Sequence, residues 1–282
     1  MSSTPRPTWR TEARFLHANG RQLFVLDVMP TQPCTGTVLY LPPFAEEMNR
    51  LRSHVASTAR ALASEGLRCV LLDPFGTGES DGQITDADWE HWLEDAAAAC
   101  HWLAEQAGHP PTLWGVRTGA LLAAEVARRP SLFPSPGRLL FWQPVLDGKL
   151  FLTQYLRLRI ASQVVKESER ETTDQIRARL TAGEIVEVAG YPLTGRIADQ
   201  LATRRLADLT PPEGWQVSWI EVAAKPEQPL GPASQKAVEA WRAKGVAVQA
   251  ITAASPMVWQ VHRREEAPEL QQATLLAMGV AA

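Results

Sequence analysis

The chain has 282 residues, of which 45% are apolar and 21% are charged, and its formal net charge is −3. This composition is typical of an ordinary globular protein, long enough for one large α/β domain or two small ones. The small negative charge excludes a general attraction to nucleic acid or to an anionic membrane. Three cysteines, Cys34, Cys69 and Cys100, lack metal-ligand spacing, which favours a reducing compartment. With no secretory pattern and no stretch long enough to span a bilayer, we expect a cytoplasmic protein.

The first half of the chain alternates between strands and helices. Asn19-Gly20 predicts a hairpin between strands at 13–17 and 21–28, because this dipeptide favours the tight turn that hairpins use. Further buried strands are predicted at 36–41, 67–72, 112–114 and 138–142. Helices are predicted at 53–65, 88–106 and 119–129. This alternation predicts a mostly parallel central sheet with helices on both faces.

The pattern changes after Val145, where apolar and charged helical segments follow one another. Helices are predicted at 150–165, 168–180 and 195–206, with a short apolar segment at 185–188. The alternation then resumes with strands at 215–222 and 246–251 and helices at 234–244 and 268–278. We therefore expect an α/β core formed by residues 1–145 and 209–282, and an inserted helical lid at 146–208.

Gly115-Val116-Arg117-Thr118-Gly119 joins a buried strand directly to a helix. A G-x-X-x-G turn in this place predicts a nucleophile elbow, whose central residue is strained and whose glycines let the helix pack close to its strand. The central residue is Arg117, which stays protonated and cannot attack a carbonyl carbon. The pattern therefore predicts the architecture of a hydrolase without its usual nucleophile.

These elements in this order resemble the α/β-hydrolase fold, through Leu41–Phe44, the D-x-x-G-x-G-x-S run at Asp73–Ser80 and the elbow. Phe141–Val145, Asp147-Gly148 and Phe151–Arg157 resemble, more narrowly, the second type of hydrolase associated with the exosortase A system. Proteins of that family are bacterial and are encoded near genes for exopolysaccharide and PEP-CTERM protein sorting. The resemblance implies a cytosolic hydrolase-like protein, and a fold alone does not fix the substrate.

A working triad in this fold has the chain order nucleophile, acid, histidine. The acid belongs after the strand at 217–222, where Glu221 and Glu227 are candidates, and the loop position favours Glu227. His262 is the one histidine beyond the elbow, and it lies in a charged run typical of a solvated surface. Thr118 is a weak alternative nucleophile. The catalytic histidine is expected near Ser255–Met257, and that segment contains no histidine.

The oxyanion hole would come from the backbone N–H groups of Phe44 or Ala45 and of Thr118. Arg117 at a helix N-terminus has two interpretations. In one, it points into the pocket and holds a carboxylate, phosphate or thioester-linked group. In the other, it pairs with Glu46, Glu47 or Glu227 and closes the pocket. No metal-ligand motif and no cofactor motif is present, so we expect neither a metal nor a cofactor.

Two functions remain open from the sequence. The first is turnover of an acyl ester or thioester by a hydrolase-family protein with an altered elbow. The second is a catalytically silent protein that binds an acyl or anionic small molecule or a protein partner. A purely structural role, with the arginines at 157–159 facing a partner or a second copy of the chain, is a weaker third.

Overall fold

The computed structural model describes residues 8–162, 171–225, 227–261 and 265–280. Eight strands form one sheet in the order β1-β2-β4-β3-β5-β6-β9-β10. The strands are β1 (Trp9–Ala18), β2 (Arg21–Pro30), β3 (Gly36–Leu41), β4 (Leu67–Leu72), β5 (Thr112–Val116), β6 (Arg138–Trp142), β9 (Gln216–Ala223) and β10 (Ala247–Ala254). A separate two-stranded sheet pairs β7 (Val186–Val188) with β8 (Tyr191–Leu193).

The hairpin β1–β2 is antiparallel and is closed by Asn19 and Gly20, which both have positive φ as the tight turn requires. Strand β2 also pairs antiparallel with β4, and from β4 to β10 all pairings are parallel. This agrees with the expected mostly parallel sheet. The carboxyl ends of β3, β5, β6 and β9 therefore meet at one edge, where α/β folds place their ligands.

Two buried hydrophobic clusters cover the two faces of the sheet. On one face lie α1 and α8, which contact each other, and on the other lie α2, α3 and α7. The helices are α1 (Glu46–Ser64), α2 (Trp89–Ala107), α3 (Gly119–Ala127), α4 (Gly148–Ser162), α5 (Thr173–Thr181), α6 (Gly195–Ala202), α7 (Pro232–Arg242) and α8 (Pro268–Met278). None of the helices in the described ranges is long and apolar enough to cross a membrane.

Between β6 and β9 the chain leaves the sheet and forms helices α4 to α6. The sequence predicted three helices in this interval. Their buried residues, such as Phe151, Tyr155 and Leu201, join the same cluster as Phe44 and Trp92. The chain enters and leaves this segment through a short antiparallel contact. The N–H of Gly148 donates to the Arg204 carbonyl, and the N–H of Leu206 donates to the Leu146 carbonyl, each over 2.9 Å. We call this contact the neck.

Helix α1 begins seven positions earlier than the sequence predicted, so the prediction of a start at Ser53 is wrong. The start was hidden because the residue preceding the helix, Ala45, has no side chain that can cap it. Glu46 and Glu47 thus lie in the first helical turn, where acidic side chains are stabilised by the helix dipole. The predicted helix residues 163–165 and 168–170 lie outside the described part of the chain.

Candidate functional site

The elbow has the backbone geometry that its glycines predict. Arg117 follows β5 with φ of 55°, a left-handed conformation that is uncommon for a residue with a side chain. A Cβ atom on Gly119 would lie 2.2 Å from the carbonyl oxygen of Leu41, and one on Gly115 would lie 2.6 Å from Cα of Ala120. Both glycines therefore let α3 pack directly on β3 and β5.

The Arg117 side chain is held on three sides and is only 13% exposed. Its Nε donates to both oxygens of Glu47 over 3.2 Å, and its Nη2 donates to Oε1 of Glu47 over 3.0 Å. Its Nη1 donates to the carbonyl of Gln143 over 3.3 Å. The guanidinium carbon lies 5.0 Å from the centre of the Trp259 ring, a cation–π distance. Glu47 is thus the partner among the three acids that the sequence offered.

Strained backbone is concentrated around this pair. Among the described residues, five that are not glycine have positive φ: Asn19 in the hairpin turn, Ala45, Arg117, Gln143 and Ala189. Ala189 closes the β7–β8 hairpin as Asn19 closes β1–β2. The other three lie at the elbow: Arg117 lines one cavity, Ala45 precedes two residues of that cavity, and Gln143 accepts from Arg117. Each such conformation costs on the order of 1–3 kcal/mol, and strain of this kind clusters at functional sites. The clustering therefore marks this end of the sheet as the candidate site.

A cavity of about 740 Å³ lies between the elbow, the first turn of α1 and helix α4. Its wall is charged on the side of α1 and largely apolar on the side of α4. The lining residues are Glu46, Glu47, Arg50, Arg117, Phe151, Gln154, Tyr155, Leu158, Ala161, Ser162, Ala189, Trp259 and Gln260. We call it the elbow cavity. A concave, mostly apolar space with a few convergent polar groups is the usual form of a small-molecule site.

Glu46 is the charged wall residue whose carboxyl is least satisfied. The residue is 7% exposed, and its Oε2 is buried without a hydrogen-bond partner. Burial raises the pKa of this carboxyl to about 7, and the neighbouring Glu47 carboxylate raises it further, while its own backbone N–H, Arg50 and Arg117 oppose the shift. A carboxyl that titrates near neutral pH in a cavity is a candidate functional group.

The predicted oxyanion donors are only partly placed as expected. The N–H of Phe44 donates to Oγ1 of Thr118 over 2.8 Å, so Phe44 is already occupied, as is the Thr118 hydroxyl. The N–H groups of Ala45 and Thr118 have no hydrogen-bond partner within the described chain. Ala45, however, lines a second cavity of about 280 Å³, beside Arg52 and Tyr191, rather than the elbow cavity.

Two of the remaining predicted site residues, Glu221 and Glu227, do not line the elbow cavity. Glu227 is exposed in the loop after β9. Glu221 lies on β9, is 8% exposed and accepts from the N–H of Gly231 over 2.7 Å. His262 lies outside the described residues, and none of the five described histidines lines the elbow cavity. Within the described ranges no cluster of histidine, cysteine, aspartate and glutamate could hold a metal ion.

Two important residues of the site were not singled out from the sequence. Trp259 follows β10, close to the position expected for a histidine, and packs on Arg117. Tyr155 on α4 stacks with Phe151 and contacts Phe44. The apolar run Met257-Val258-Trp259, which follows the last strand and precedes a charged run, was the available signal for the first of these.

No protein-family model matches the chain, and no curated relative matches it in sequence. Its structure is similar to those of several solved proteins. Est1E from Butyrivibrio proteoclasticus, solved with ferulic acid bound, has 17% identity and a TM-score of 0.60 over 95% of this chain and 96% of its own. The hypothetical protein PA2218 from Pseudomonas aeruginosa has 12% identity and a TM-score of 0.65, over 97% of this chain and 94% of its own. The α/β hydrolase GrgF from Penicillium sp. sh18 has 14% identity and a TM-score of 0.59 over 86% and 90%.

These likenesses, taken with the sheet order and the elbow, show that the chain has the α/β-hydrolase fold. At sequence identities this low, structural similarity shows the fold and not the function. The chemistry therefore has to be argued from the residues of the elbow cavity.

Proposed function

We propose that this protein binds a small, largely apolar ligand in the elbow cavity and does not form an acyl-enzyme at its elbow. One observation carries the proposal: the position of the hydrolase nucleophile is occupied by Arg117, and its guanidinium donors are engaged by Glu47 and Gln143. A guanidinium has no lone pair for attack on a carbonyl. Since Glu47 also neutralises its charge, Arg117 is a poor holder of an anionic ligand.

The elbow cavity supports the binding role by its shape and its walls. Phe151, Tyr155 and Trp259 supply aromatic surface, and burial of such surface is worth about 25 cal/mol for each Å² removed from water. The hydrogen bonds of Arg117 with Glu47 and Gln143 tie this part of the wall together. A wall that is rigid before binding loses less entropy when a ligand enters.

Turnover of an acyl ester or thioester is the second candidate. It is favoured by the two N–H groups of Ala45 and Thr118, which have no partner in the described chain and flank the elbow as oxyanion donors would. In this candidate the attacking group would be water, because Arg117 has no lone pair for attack and the buried Thr118 hydroxyl does not line the elbow cavity.

From the narrower resemblance we further propose that the protein acts in an exosortase or exopolysaccharide system of the cytoplasm, with a protein partner or a second copy of the chain as further binding candidates. The residues that carry it adjoin the candidate site. Gln143 accepts from Arg117, and Phe151 and Tyr155 line the cavity. Residues that define the resemblance would therefore be those that shape the ligand site.

One experiment separates the two candidates. The native chain, Arg117→Ser and Arg117→Ala are assayed with p-nitrophenyl acetate, p-nitrophenyl octanoate, methyl ferulate and octanoyl-coenzyme A. We expect no turnover above the buffer rate by any of the three, with folding confirmed by circular dichroism. Turnover by the native chain, whether or not Arg117→Ala abolishes it, would overturn the proposal in favour of the second candidate.

Binding is tested in parallel with 2-naphthol, a neutral aromatic probe smaller than the cavity, by isothermal titration calorimetry. We expect saturable binding by the native chain and its loss in Ala161→Trp, which places a large side chain at the cavity wall. Ala243→Trp, at an exposed position after α7, is the matched control and should bind normally. Equal binding by both variants, or none by the native chain, would contradict a ligand site here.

A further inference from the structure

The carboxyl of Glu46 stands apart from the other charged groups of the elbow cavity. Glu47 is used by Arg117, and Arg50 donates to the carbonyl of Trp259 over 3.1 Å. Glu46 is only 7% exposed, and its Oε2 atom has no hydrogen-bond partner among the described residues. A buried carboxyl oxygen without a hydrogen bond is costly, so its retention calls for a group that completes it.

The charges around Glu46 restrict what that group can be. Arg117 and Glu47 neutralise each other, so the pair attracts neither a cation nor an anion strongly. Arg50, the other cation that acts on Glu46, would repel a cationic ligand, and the Glu46 carboxylate itself would repel an anionic one. A neutral ligand with a hydrogen-bond donor avoids both costs.

A hydroxyl fits this requirement better than an amide N–H. It can donate to the carboxylate and can accept from a protonated carboxyl, and burial raises the pKa of Glu46 to about 7, so that both forms occur near neutral pH. Trp259, which lines the cavity, also has an unpartnered donor, its buried Nε1. The rest of the ligand faces the aromatic rings of α4 and therefore has to be apolar.

The position of the side chain makes the contact accessible. Glu46 forms part of the cavity wall, and the terminal torsion of a glutamate is soft and two-fold. A partial rotation about this torsion turns the unpartnered oxygen towards the cavity without exchanging it with the other oxygen.

We propose that the elbow cavity selects neutral, apolar compounds that carry a hydroxyl group, and that Glu46 is the residue that reads this hydroxyl. The inference rests on the proposed ligand-binding function and names the class of ligand. It predicts discrimination between a hydroxyl compound and its methyl ether, which have nearly the same shape and apolar surface.

The test compares 2-naphthol with 2-methoxynaphthalene by calorimetry and equilibrium dialysis. A hydrogen bond to a charged group is worth about 1.5–3 kcal/mol, which corresponds to about 10-fold to 100-fold in affinity. We expect the native chain to prefer the naphthol by about 10-fold or more. Glu46→Leu should reduce the ratio to about 1, mainly by weakening the naphthol complex, and Glu46→Gln should give an intermediate ratio.

Glu65→Leu is the matched control, since Glu65 is exposed at the other end of the same helix. Near-ultraviolet circular dichroism checks that each variant is folded. If Glu46→Leu does not fold, Glu46→Gln alone provides the comparison. Equal binding of the two probes by the native chain, or an unchanged ratio in the folded Glu46 variants, would overturn this inference but leave the ligand site intact. If neither probe binds the native chain, the proposed function itself fails.

Discussion

The Nη2 atom of Arg117 lies 3.0 Å from Oε1 of Glu47, which joins the turn after β5 to the first turn of α1. Neither side chain is more than 13% exposed. The pair therefore closes the position from which hydrolases of this fold attack their substrates. Its contribution to the free energy of unfolding can be measured by removing one charge or both.

Removal of one partner should be costly, because the other charge is left buried. We expect Glu47→Gln to lower the free energy of unfolding by about 3–5 kcal/mol, as is typical when one partner of a buried pair is removed. The double variant Glu47→Leu with Arg117→Met should recover most of that loss, since neither charge remains. Chemical denaturation measures both. A loss below about 1 kcal/mol in Glu47→Gln would show that water reaches the pair.

The close packing of α3 on β3 gives a second prediction. Gly119→Ala would place a methyl carbon 2.2 Å from the carbonyl oxygen of Leu41, and two backbone segments cannot move apart without loss of the elbow. We expect the variant to lose more than about 4 kcal/mol of stability or not to fold, in the exceptional range for one substitution.

The control for this variant is Gly108→Ala, at the end of α2. Gly108 has φ of 76°, but a Cβ atom there would meet nothing within 4 Å. Its cost should be about 1–2 kcal/mol, from the left-handed backbone alone. Thermal unfolding followed by circular dichroism compares the two. Similar losses in both variants would mean that backbone conformation, and not the approach to Leu41, sets the cost.

The buried carboxyl of Glu46 makes stability depend on pH. Its pKa rises from an ordinary value of 4.5 to about 7 in the folded chain, mainly because burial disfavours the carboxylate. The folded state therefore binds more protons than the unfolded state between those values, and stability falls as the pH rises through this window. The shift corresponds to about 3 kcal/mol at most.

The Glu46→Gln variant isolates this effect from the neighbouring charged and titratable groups. These are the cations Arg50 and Arg117 and the side chains of Glu47, Tyr155 and Tyr191. Its stability relative to the native chain should increase by up to about 3 kcal/mol between pH 4.5 and pH 8. Urea denaturation at four pH values measures the difference, and Glu65→Gln, at an exposed position, should show none. Parallel curves for Glu46→Gln and the native chain would contradict the raised pKa.

The contact between β6 and α8 gives a fourth prediction. Nε1 of Trp142 donates to Oγ1 of Thr274 over 2.8 Å, and both residues are buried. Thr274→Val keeps the shape but leaves the indole N–H without an acceptor, so we expect a loss of about 1–3 kcal/mol. Chemical denaturation compares it with Thr181→Val, at the exposed end of α5, which should lose far less. Equal losses would mean that the hydrogen bond contributes nothing net.

Much of the fold could be predicted from local patterns. The turn at Asn19-Gly20 and the apolar strands β3, β4 and β6 are encoded within a few residues each, and their predicted bounds agree closely with the structure. The start of α1 could not be predicted, because no capping side chain marks it. Strand β8 was missed because its three residues, Tyr191–Leu193, become a strand only by pairing with β7.

The candidate site was predictable only in part. The left-handed turn at Arg117 follows from its flanking glycines, so the sequence located the elbow. The choice of Glu47 over Glu46 and Glu227 as its partner depends on how α1 approaches β5, a long-range relation with no local signal. The contact of Trp259 with Arg117 has the same origin, since 142 positions separate them along the chain.

The neck has a consequence for how such proteins can diversify. Because the amide of Leu206 already bonds the carbonyl of Leu146, the two ends of the α4–α6 segment are held within one hydrogen bond of each other. A segment of different length or sequence could therefore replace α4–α6 between these two residues without a change in β6 or β9. What any replacement must still supply is an apolar surface over Phe44, which the native segment covers with Phe151 and Tyr155.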